Sequence, residues 1–230
     1  MMFKKIVQPK EYDIEKRWDS KRDSIYNLRN NINRLKRRVL ADLHSADEKA
    51  RLTALVIRLM LLTSERVGNE ESATNGHFGV TQFKKKHIDV IGNAIHLNYV
   101  GKSGVEHEKT VSDATAAKLL KELLNRKNPF VFTTADGFRI KADRVNRYLK
   151  DFDAKSKDIR GYNANRYMLM ELNRIGKIKD EKERPKVFNA ALRKIGAKIG
   201  HGAATLRKQY LLPEIEQQFY AKGYVTKVKI

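Results

Sequence analysis

Five side chains in this sequence are suited to chemistry on a phosphate ester: Arg66, Lys102, Arg160, His201 and Tyr210. Arginine presents a planar fork of donors that stays charged, which matches the oxygens of a phosphate. Histidine can donate a further hydrogen bond to the same group, and stabilising developing charge in this way is often the largest catalytic effect. A tyrosine hydroxyl has an ordinary pKa of about 10, so it needs activation before it acts as a nucleophile. The set therefore allows tyrosine attack on a phosphodiester among fixed cations.

The sequence around these residues is more specific than the residues themselves. In chain order, the surrounding segments are Ser64-Glu65-Arg66-Val67-Gly68-Asn69-Glu70, Tyr99-Val100-Gly101-Lys102-Ser103-Gly104, Lys157-Asp158-Ile159-Arg160-Gly161-Tyr162, Ile199-Gly200-His201-Gly202 and Arg207-Lys208-Gln209-Tyr210. With these motifs in this order, the chain resembles the type IB DNA topoisomerases of poxviruses and bacteria. The resemblance includes the intervening segments 78–81 and 85–90 and extends over about residues 20–220.

The resemblance implies an α+β, mostly helical fold with a small antiparallel sheet, the catalytic fold of type IB topoisomerases and tyrosine recombinases. It also implies that one strand of double-stranded DNA is nicked through a 3′-phosphotyrosyl intermediate and religated without ATP, metal or cofactor. On this interpretation Tyr210 is the nucleophile, and Lys102 donates a proton to the leaving 5′ oxygen with help from Arg66. The phosphate is held by Arg66, Arg160 and His201. No residue in the motifs stands out as the general base.

Other polar residues are candidates for secondary roles. Lys157 precedes Arg160 by three positions, and Asn165 matches a position that supports the phosphate pocket in the poxvirus enzymes. Basic side chains elsewhere are predicted to contact backbone phosphates, although any one of them could simply be solvated. They are Lys84, Lys85, Lys86, Arg139, Lys141, Arg144 and Arg147. Histidines at 77, 87, 96 and 107 lie around the predicted sheet and are interpreted as DNA-facing or structural.

The composition agrees with a nucleic-acid partner. The sequence has 48 Lys and Arg against 27 Asp and Glu, a net charge of +21, and such an excess favours a polyanion over a neutral ligand. It contains no cysteine, so disulfides and thiolate sites are excluded. It also lacks the run of about 18 apolar residues that a membrane helix needs. We expect an intracellular protein of the cytoplasm, nucleoid or a virus, acting as a monomer on DNA.

Hydrophobic periodicity predicts helices at both ends of the chain. A helix is predicted from Asp13 to about Leu43, and a second one follows a capping box that begins at Ser45. The second helix is expected to end near Arg66, with Gly68 as a left-handed C-cap. Later helices are predicted at 114–126, 142–154, 158–175, 181–198 and 213–221.

Between these helices the pattern alternates, which is typical of strands. Strands are predicted at 78–83, 87–91, 94–100 and about 105–111, with one short strand at 130–134. Lys102 then lies at the tip of a hairpin. The predicted organisation is a leader at 1–12, a catalytic domain at 13–224 (helices 13–66, sheet 78–111, then helices) and a tail at 225–230.

The spacing of His201 and Tyr210 requires a break in the chain. The two residues are nine positions apart, which is about 900° along a helix and puts them on opposite faces. If both contact one phosphate, the backbone must bend between them. Gly200 and Gly202 make such a bend accessible.

Two other functions stay open. Site-specific tyrosine recombinases use nearly the same five residues but typically place a histidine where this chain has Lys157. A non-catalytic DNA-binding protein is also possible, although all five residues are present. Taken singly, Arg66 could complement a helix dipole and Tyr210 could be a packed aromatic. The resembled enzymes usually carry an N-terminal sheet domain, which is expected to be absent here because the sequence begins almost at the first predicted helix. On this expectation the sequence is either a piece of a longer protein or a minimal enzyme.

Overall fold

The computed structural model describes residues 11–226, 228 and 230. Its helices are α1 Glu11–Asp42, α2 Glu48–Thr63, α3 Glu70–Thr74, α4 Ala114–Leu124, α5 Ala142–Lys150, α6 Ser156–Ile175, α7 Arg184–Ile199, α8 Ala203–Gln209 and α9 Pro213–Lys222. The strands β1 Ile88–Ile91, β2 Ala94–Val100 and β3 Glu106–Ser112 form one antiparallel sheet in the order β1-β2-β3. The predicted mostly helical α+β fold is confirmed. Most of the predicted leader lies outside the described residues, and its last two positions belong to α1.

Two hydrophobic clusters build the interior. One surrounds α2, which is buried along most of its length, and joins it to the sheet, α4 and α5. The other joins α6, α7 and α9. Helix α1 packs against both α2 and α6, placing Leu28 in the first cluster and Ile25 in the second. The candidate site lies where α2 and α7 end, close to the first turns of α6 and to the connection between β2 and β3.

The ends of α2 differ from the prediction. The N-cap is Asp47, whose carboxylate accepts the Lys49 N–H, so Ser45 is not the cap. The helix stops at Thr63 because Ser64 adopts a left-handed conformation with φ 62°, so Gly68 is not its C-cap. Ser64 is fully buried and its Oγ accepts a hydrogen bond from Asn163. Arg66 therefore lies on an extended segment beyond the helix and not in its last turn.

The predicted strand at 78–83 is wrong. Val80–Gln82 is a 3-10 turn, and the N–H groups of Val80 and Thr81 donate to the carbonyls of Arg66 and Val67, each at 2.9 Å. A Cβ on Gly79 would lie 2.4 Å from the Gly68 Cα, so the two segments touch backbone to backbone. This packing fixes the segment that carries Arg66.

Several other elements also differ from the prediction. The segment 130–134 forms two isolated bridges, Lys84 with Phe130 and Thr133 with Arg139, instead of a strand. Helix α5 ends at Lys150 because the chain turns at 151–153. The short helices α3 and α8 were missed. Among the described residues no helix is both long and apolar enough to cross a membrane.

The sheet is the element that the sequence predicted best. Strand β2 spans the predicted residues, and β1 and β3 lie within one residue of the predicted bounds. The turn between β2 and β3 contains a short 3-10 segment that begins at Lys102. Lys102 is thus presented on a tight connection, as predicted.

Asp113 joins α4 to α2, and its substitution tests the packing of the first cluster. Its Oδ1 caps α4 by accepting the Ala116 N–H, and its Oδ2 accepts from the Arg58 guanidinium at 2.8 and 2.5 Å. Asp113→Ala should lower the free energy of unfolding by about 2 kcal/mol or more, because a cap and a partly buried ion pair are lost together. Asp113→Asn keeps the cap and should lose clearly less. Urea unfolding measures both, and equal losses would contradict a contribution from the cap.

Candidate active site

The bend required between His201 and Tyr210 is present. Helix α7 ends at Gly200, which has φ 72°, and the His201 N–H donates back to the Gly196 carbonyl at 2.7 Å. The short helix α8 then carries the chain to Tyr210, its C-cap residue. As a result the His201 Nε2 lies 3.2 Å from the Tyr210 hydroxyl, and the two rings stack with centroids 5.2 Å apart. The two side chains meet directly.

Arg66 makes a second contact with the same ring nitrogen of His201. One of its terminal nitrogens lies 3.1 Å from the His201 Nε2. Since arginine only donates, Nε2 is the acceptor, and the proton of a neutral ring is on Nδ1. Burial, followed by the charges of Arg160 and Arg66, lowers the pKa of His201 to about 4. His201 is therefore uncharged near pH 7.

Arg160 projects from α6 beneath the tyrosine. It is 2% exposed, and its Cζ lies 5.8 Å from the centroid of the Tyr210 ring. Its terminal nitrogens donate to the carbonyls of Ser64 and Ile199. Its Nε is buried and has no hydrogen-bond partner among the described residues. Arg160 thus joins the ends of α2 and α7, while its Nε–H stays unpaired within the described part of the chain.

Lys102 lies at the edge of the same space. A cavity of about 350 Å³ is lined by the five polar groups Arg66, Lys102, Lys157, Arg160 and Tyr210, together with apolar and polar residues of 67–78. A second cavity of about 580 Å³ shares Arg66 and Lys102 and contains His201. The structure therefore brings together the five residues predicted from sequence, with Arg66 and Lys102 between the two cavities.

The two secondary candidates, Lys157 and Asn165, lie in different surroundings. Lys157 lines the first cavity, and its role beside a phosphate stays a prediction. Asn165 is fully buried: its amide nitrogen donates to the carbonyls of Gly161 and Tyr210 at 2.8 and 2.7 Å, and its oxygen accepts the Leu212 N–H at 2.8 Å. Because these contacts occupy the amide, Asn165 holds the backbone of the tyrosine and does not line the cavity.

The basic residues predicted to contact backbone phosphates fall into two groups. Lys86, Lys141 and Arg147 are exposed. The others make intramolecular contacts. Lys84 lies over the Phe78 and Phe130 rings, Lys85 donates to the Arg126 carbonyl, Arg139 pairs with Glu70 at 2.9 Å, and Arg144 donates to Thr53 at 3.2 Å. For these four side chains, an intramolecular contact competes with the predicted contact to a DNA phosphate.

Sequence reasoning missed two buried polar residues beneath the site, Glu65 and His107. The exposed fractions of their side chains are 1% and 2%, and they are hydrogen-bonded to each other at 3.0 Å. The available signal was the position of Glu65 next to Arg66, since a carboxylate inside a cationic motif needs an explanation. His107 was interpreted only as one of several histidines around the sheet.

Fold and site define a class of protein: a mostly helical α+β chain that holds a tyrosine hydroxyl beside one buried and one half-buried arginine. Residues 12–222 match the family described as eukaryotic DNA topoisomerase I, catalytic core. The chain belongs to that family.

Individual known proteins are similar to this chain to different degrees. DNA topoisomerase 1B of Acanthamoeba polyphaga mimivirus is 26% identical over 179 residues, covering 71% of this chain and 53% of that protein. The chain thus spans about half the length of this curated relative. Two crystal structures of the XerH site-specific recombinase bound to difH substrates, a pre-cleavage and a post-cleavage complex, align with a TM-score of 0.46 and 16% identity. They cover 81% of this chain and 48% and 47% of the XerH chains.

The low pKa of His201 can be measured directly. The NMR signal of its ring should titrate with a midpoint near 4. Arg66→Ala should raise this pKa, because removing a neighbouring positive charge makes protonation easier. Arg37→Ala, at an exposed position on α1, removes the same charge and should leave the midpoint unchanged. A midpoint that does not respond to Arg66→Ala would contradict the contact between the two side chains.

Proposed function

We propose that this chain is the catalytic part of a type IB DNA topoisomerase, which nicks one strand of duplex DNA, allows rotation and religates the strand without ATP. One observation carries the proposal: the Tyr210 hydroxyl contacts His201 beside Arg66 and Arg160, in a chain that belongs to the topoisomerase I catalytic-core family. Double-stranded DNA is the partner that this family and a net charge of +21 favour.

The proposed first step is attack of the tyrosine oxygen on phosphorus. The new bond joins Tyr210 to the 3′ phosphate, and the bond to the 5′ oxygen breaks. Arg66 and Arg160, which both line the first cavity, donate to the non-bridging oxygens, where negative charge increases in the transition state. The negative charge of the bound phosphate raises the pKa of His201 from its low value in the free protein. With Arg66 turned towards the phosphate, His201 Nε2 then takes the tyrosine proton, and the imidazolium so formed donates to the same phosphate.

The leaving 5′ oxygen needs a proton, and Lys102 is proposed to supply it. Lys102 lines both cavities and is carried on a short connection between two strands, so it can approach the leaving group from beside Arg66. Resealing runs the same steps in reverse. Because the phosphotyrosyl bond keeps the energy of the broken phosphodiester, no ATP is needed.

Covalent chemistry at Tyr210 is tested by trapping. The substrate is a duplex labelled at either the 5′ or the 3′ end of the strand that is cut. Denaturing the wild-type protein on it should leave protein attached to the 5′-labelled fragment, because that fragment carries the 3′ phosphate at the cleavage site. Tyr210→Phe should abolish the adduct, because no other group replaces the missing oxygen. Tyr224→Phe, at an exposed tyrosine outside both cavities, is the matched control and should form adduct normally.

An undiminished adduct in Tyr210→Phe would overturn the assignment of the nucleophile. A two-site assay on the same wild-type protein addresses the recombinase alternative. Strand-exchanged products in place of simple religation would favour a recombinase. Tight DNA binding without any adduct would favour a non-catalytic DNA-binding protein.

The role of Lys102 is tested with a modified leaving group. Lys102→Ala should slow single-turnover cleavage about 100-fold or more, as loss of a general acid does. A substrate with sulfur at the bridging 5′ position needs no proton to leave and should restore much of the rate. Lys118→Ala, at an exposed lysine on α4, should cleave normally. If sulfur gives the mutant no selective recovery, Lys102 binds phosphate instead of donating a proton.

A further inference from the structure

Beneath the candidate site lies a buried polar group that the catalytic motifs do not explain. We call Glu65, Tyr99, His107 and Lys109 the Glu65 cluster. The carboxylate of Glu65 accepts from the Tyr99 hydroxyl, from His107 Nδ1 at 3.0 Å and from Lys109 Nζ at 2.5 Å. It also lies 3.8 Å from a terminal nitrogen of Arg160. One carboxylate therefore contacts a catalytic cation and three side chains of the sheet.

The charge on Glu65 is set by its neighbours. Burial by itself raises the pKa of this carboxyl, but the hydrogen bond from His107 and the charge of Lys109 outweigh burial and lower the pKa to about 2. The group is thus ionised at any pH at which the protein functions. An ionised carboxylate here offsets the repulsion between Arg160 and Lys109, which are both largely buried.

The ring of His107 touches the backbone next to two catalytic residues. A Cβ on Gly101, which precedes Lys102, would lie 2.6 Å from the ring, and a Cβ on Gly200, which precedes His201, would lie 2.3 Å from it. The ring also stacks on Tyr99, with centroids 4.8 Å apart and planes 16° apart. The imidazole therefore separates and aligns two catalytic segments at a spacing that only glycine permits.

We propose that Glu65 and His107 are positioning residues, which set the relative placement of Lys102, Arg160 and His201 around Tyr210. Glu65 acts on Arg160 through its charge and on His107 through the hydrogen bond that fixes the ring. His107 acts on Lys102 and His201 through the two glycines. Neither residue touches substrate. The inference rests on the proposed function, because the placement matters for rate only if these residues catalyse cleavage.

Glu65→Gln tests the proposal with little change in shape. The amide cannot carry the negative charge and cannot accept all of the present donors, so Arg160 and the His107 ring should shift. Single-turnover cleavage at saturating DNA should slow by about 10- to 100-fold, since misplacements of about 1 Å have effects of this size. The equilibrium Kd for the same duplex should change by less than about twofold, since phosphate contacts at the surface are untouched.

Glu171→Gln is the matched control. Glu171 also holds two cations, Arg174 and Lys194, each at 2.7 Å, and its side chain is 10% exposed. It lies outside both cavities of the candidate site. Its substitution removes the same charge, but from ion pairs whose cations are exposed, Arg174 at 67% and Lys194 at 57%. It therefore controls for the loss of one carboxylate charge, and it should leave both the rate and the affinity unchanged.

Amide hydrogen exchange gives a readout that does not depend on activity. The Gly101 N–H donates to Val105 and the His201 N–H to Gly196, each at 2.7 Å. Exchange at these two amides should accelerate in Glu65→Gln and stay as in wild type in Glu171→Gln. His107→Ala, which removes the ring itself, should give the same acceleration and the same selective loss of rate, and it replaces Glu65→Gln if that variant does not fold.

The outcomes separate the two proposals. If the wild-type protein forms no Tyr210-dependent adduct, the proposed function fails, and the exchange data alone decide whether the Glu65 cluster positions these segments. If wild type forms the adduct and Glu65→Gln cleaves at the wild-type rate, the positioning inference is overturned. It is equally overturned if rate and affinity fall together, or if exchange at both amides is unchanged.

Discussion

The structure depends on keeping one charged arginine, Arg160, buried beside a tyrosine hydroxyl. Arg160 is almost fully buried beside Arg66, and burial followed by the charge of Arg66 lowers the pKa of Arg160. A buried charge without compensation costs several kcal/mol, whereas a charge that is hydrogen-bonded and paired is tolerated. Here the compensation comes from two backbone carbonyls and from the carboxylate of Glu65. The protein can therefore maintain a positive pocket before any phosphate binds, which is the preorganisation that charge stabilisation in a transition state requires.

The same contacts make the fold and the site inseparable. The carbonyls that Arg160 uses belong to Ser64 and Ile199, at the end of α2 and the end of α7. Both helices end at residues with a left-handed backbone conformation, Ser64 and Gly200. The chain enters the site directly after each of them. Asn165, four residues and about one turn after Gly161 on α6, holds the backbone at Tyr210. Helix α6 thus places an arginine under the tyrosine and also fixes the tyrosine itself.

The parts of the fold predicted from sequence are those with local causes. Regular periodicity identified α1 and β2, and the nine-residue spacing identified the break between α7 and Tyr210. The prediction for 78–83 failed because the N–H groups of Val80 and Thr81 pair with the Arg66 segment, so that residues 79–83 form a continuously buried turn and not a strand. The Glu65 cluster was not predictable from motifs, because it depends on strand register: Tyr99 pairs with His107 across the sheet, and Lys109 follows two positions later on the same face. Partners that come from register are visible only after the strands are paired.

The most direct test of the account is relaxation of supercoiled plasmid in EDTA without ATP, followed on positively and negatively supercoiled substrates. A swivelling mechanism driven by torsion in the DNA predicts that both are relaxed, with linking number changing in steps and no metal or nucleotide required. Because phosphate contacts dominate the affinity, activity should decline as salt rises. Binding of plasmid with no relaxation of either sign, or relaxation that requires ATP, would contradict the assignment of this site to type IB nicking, rotation and religation.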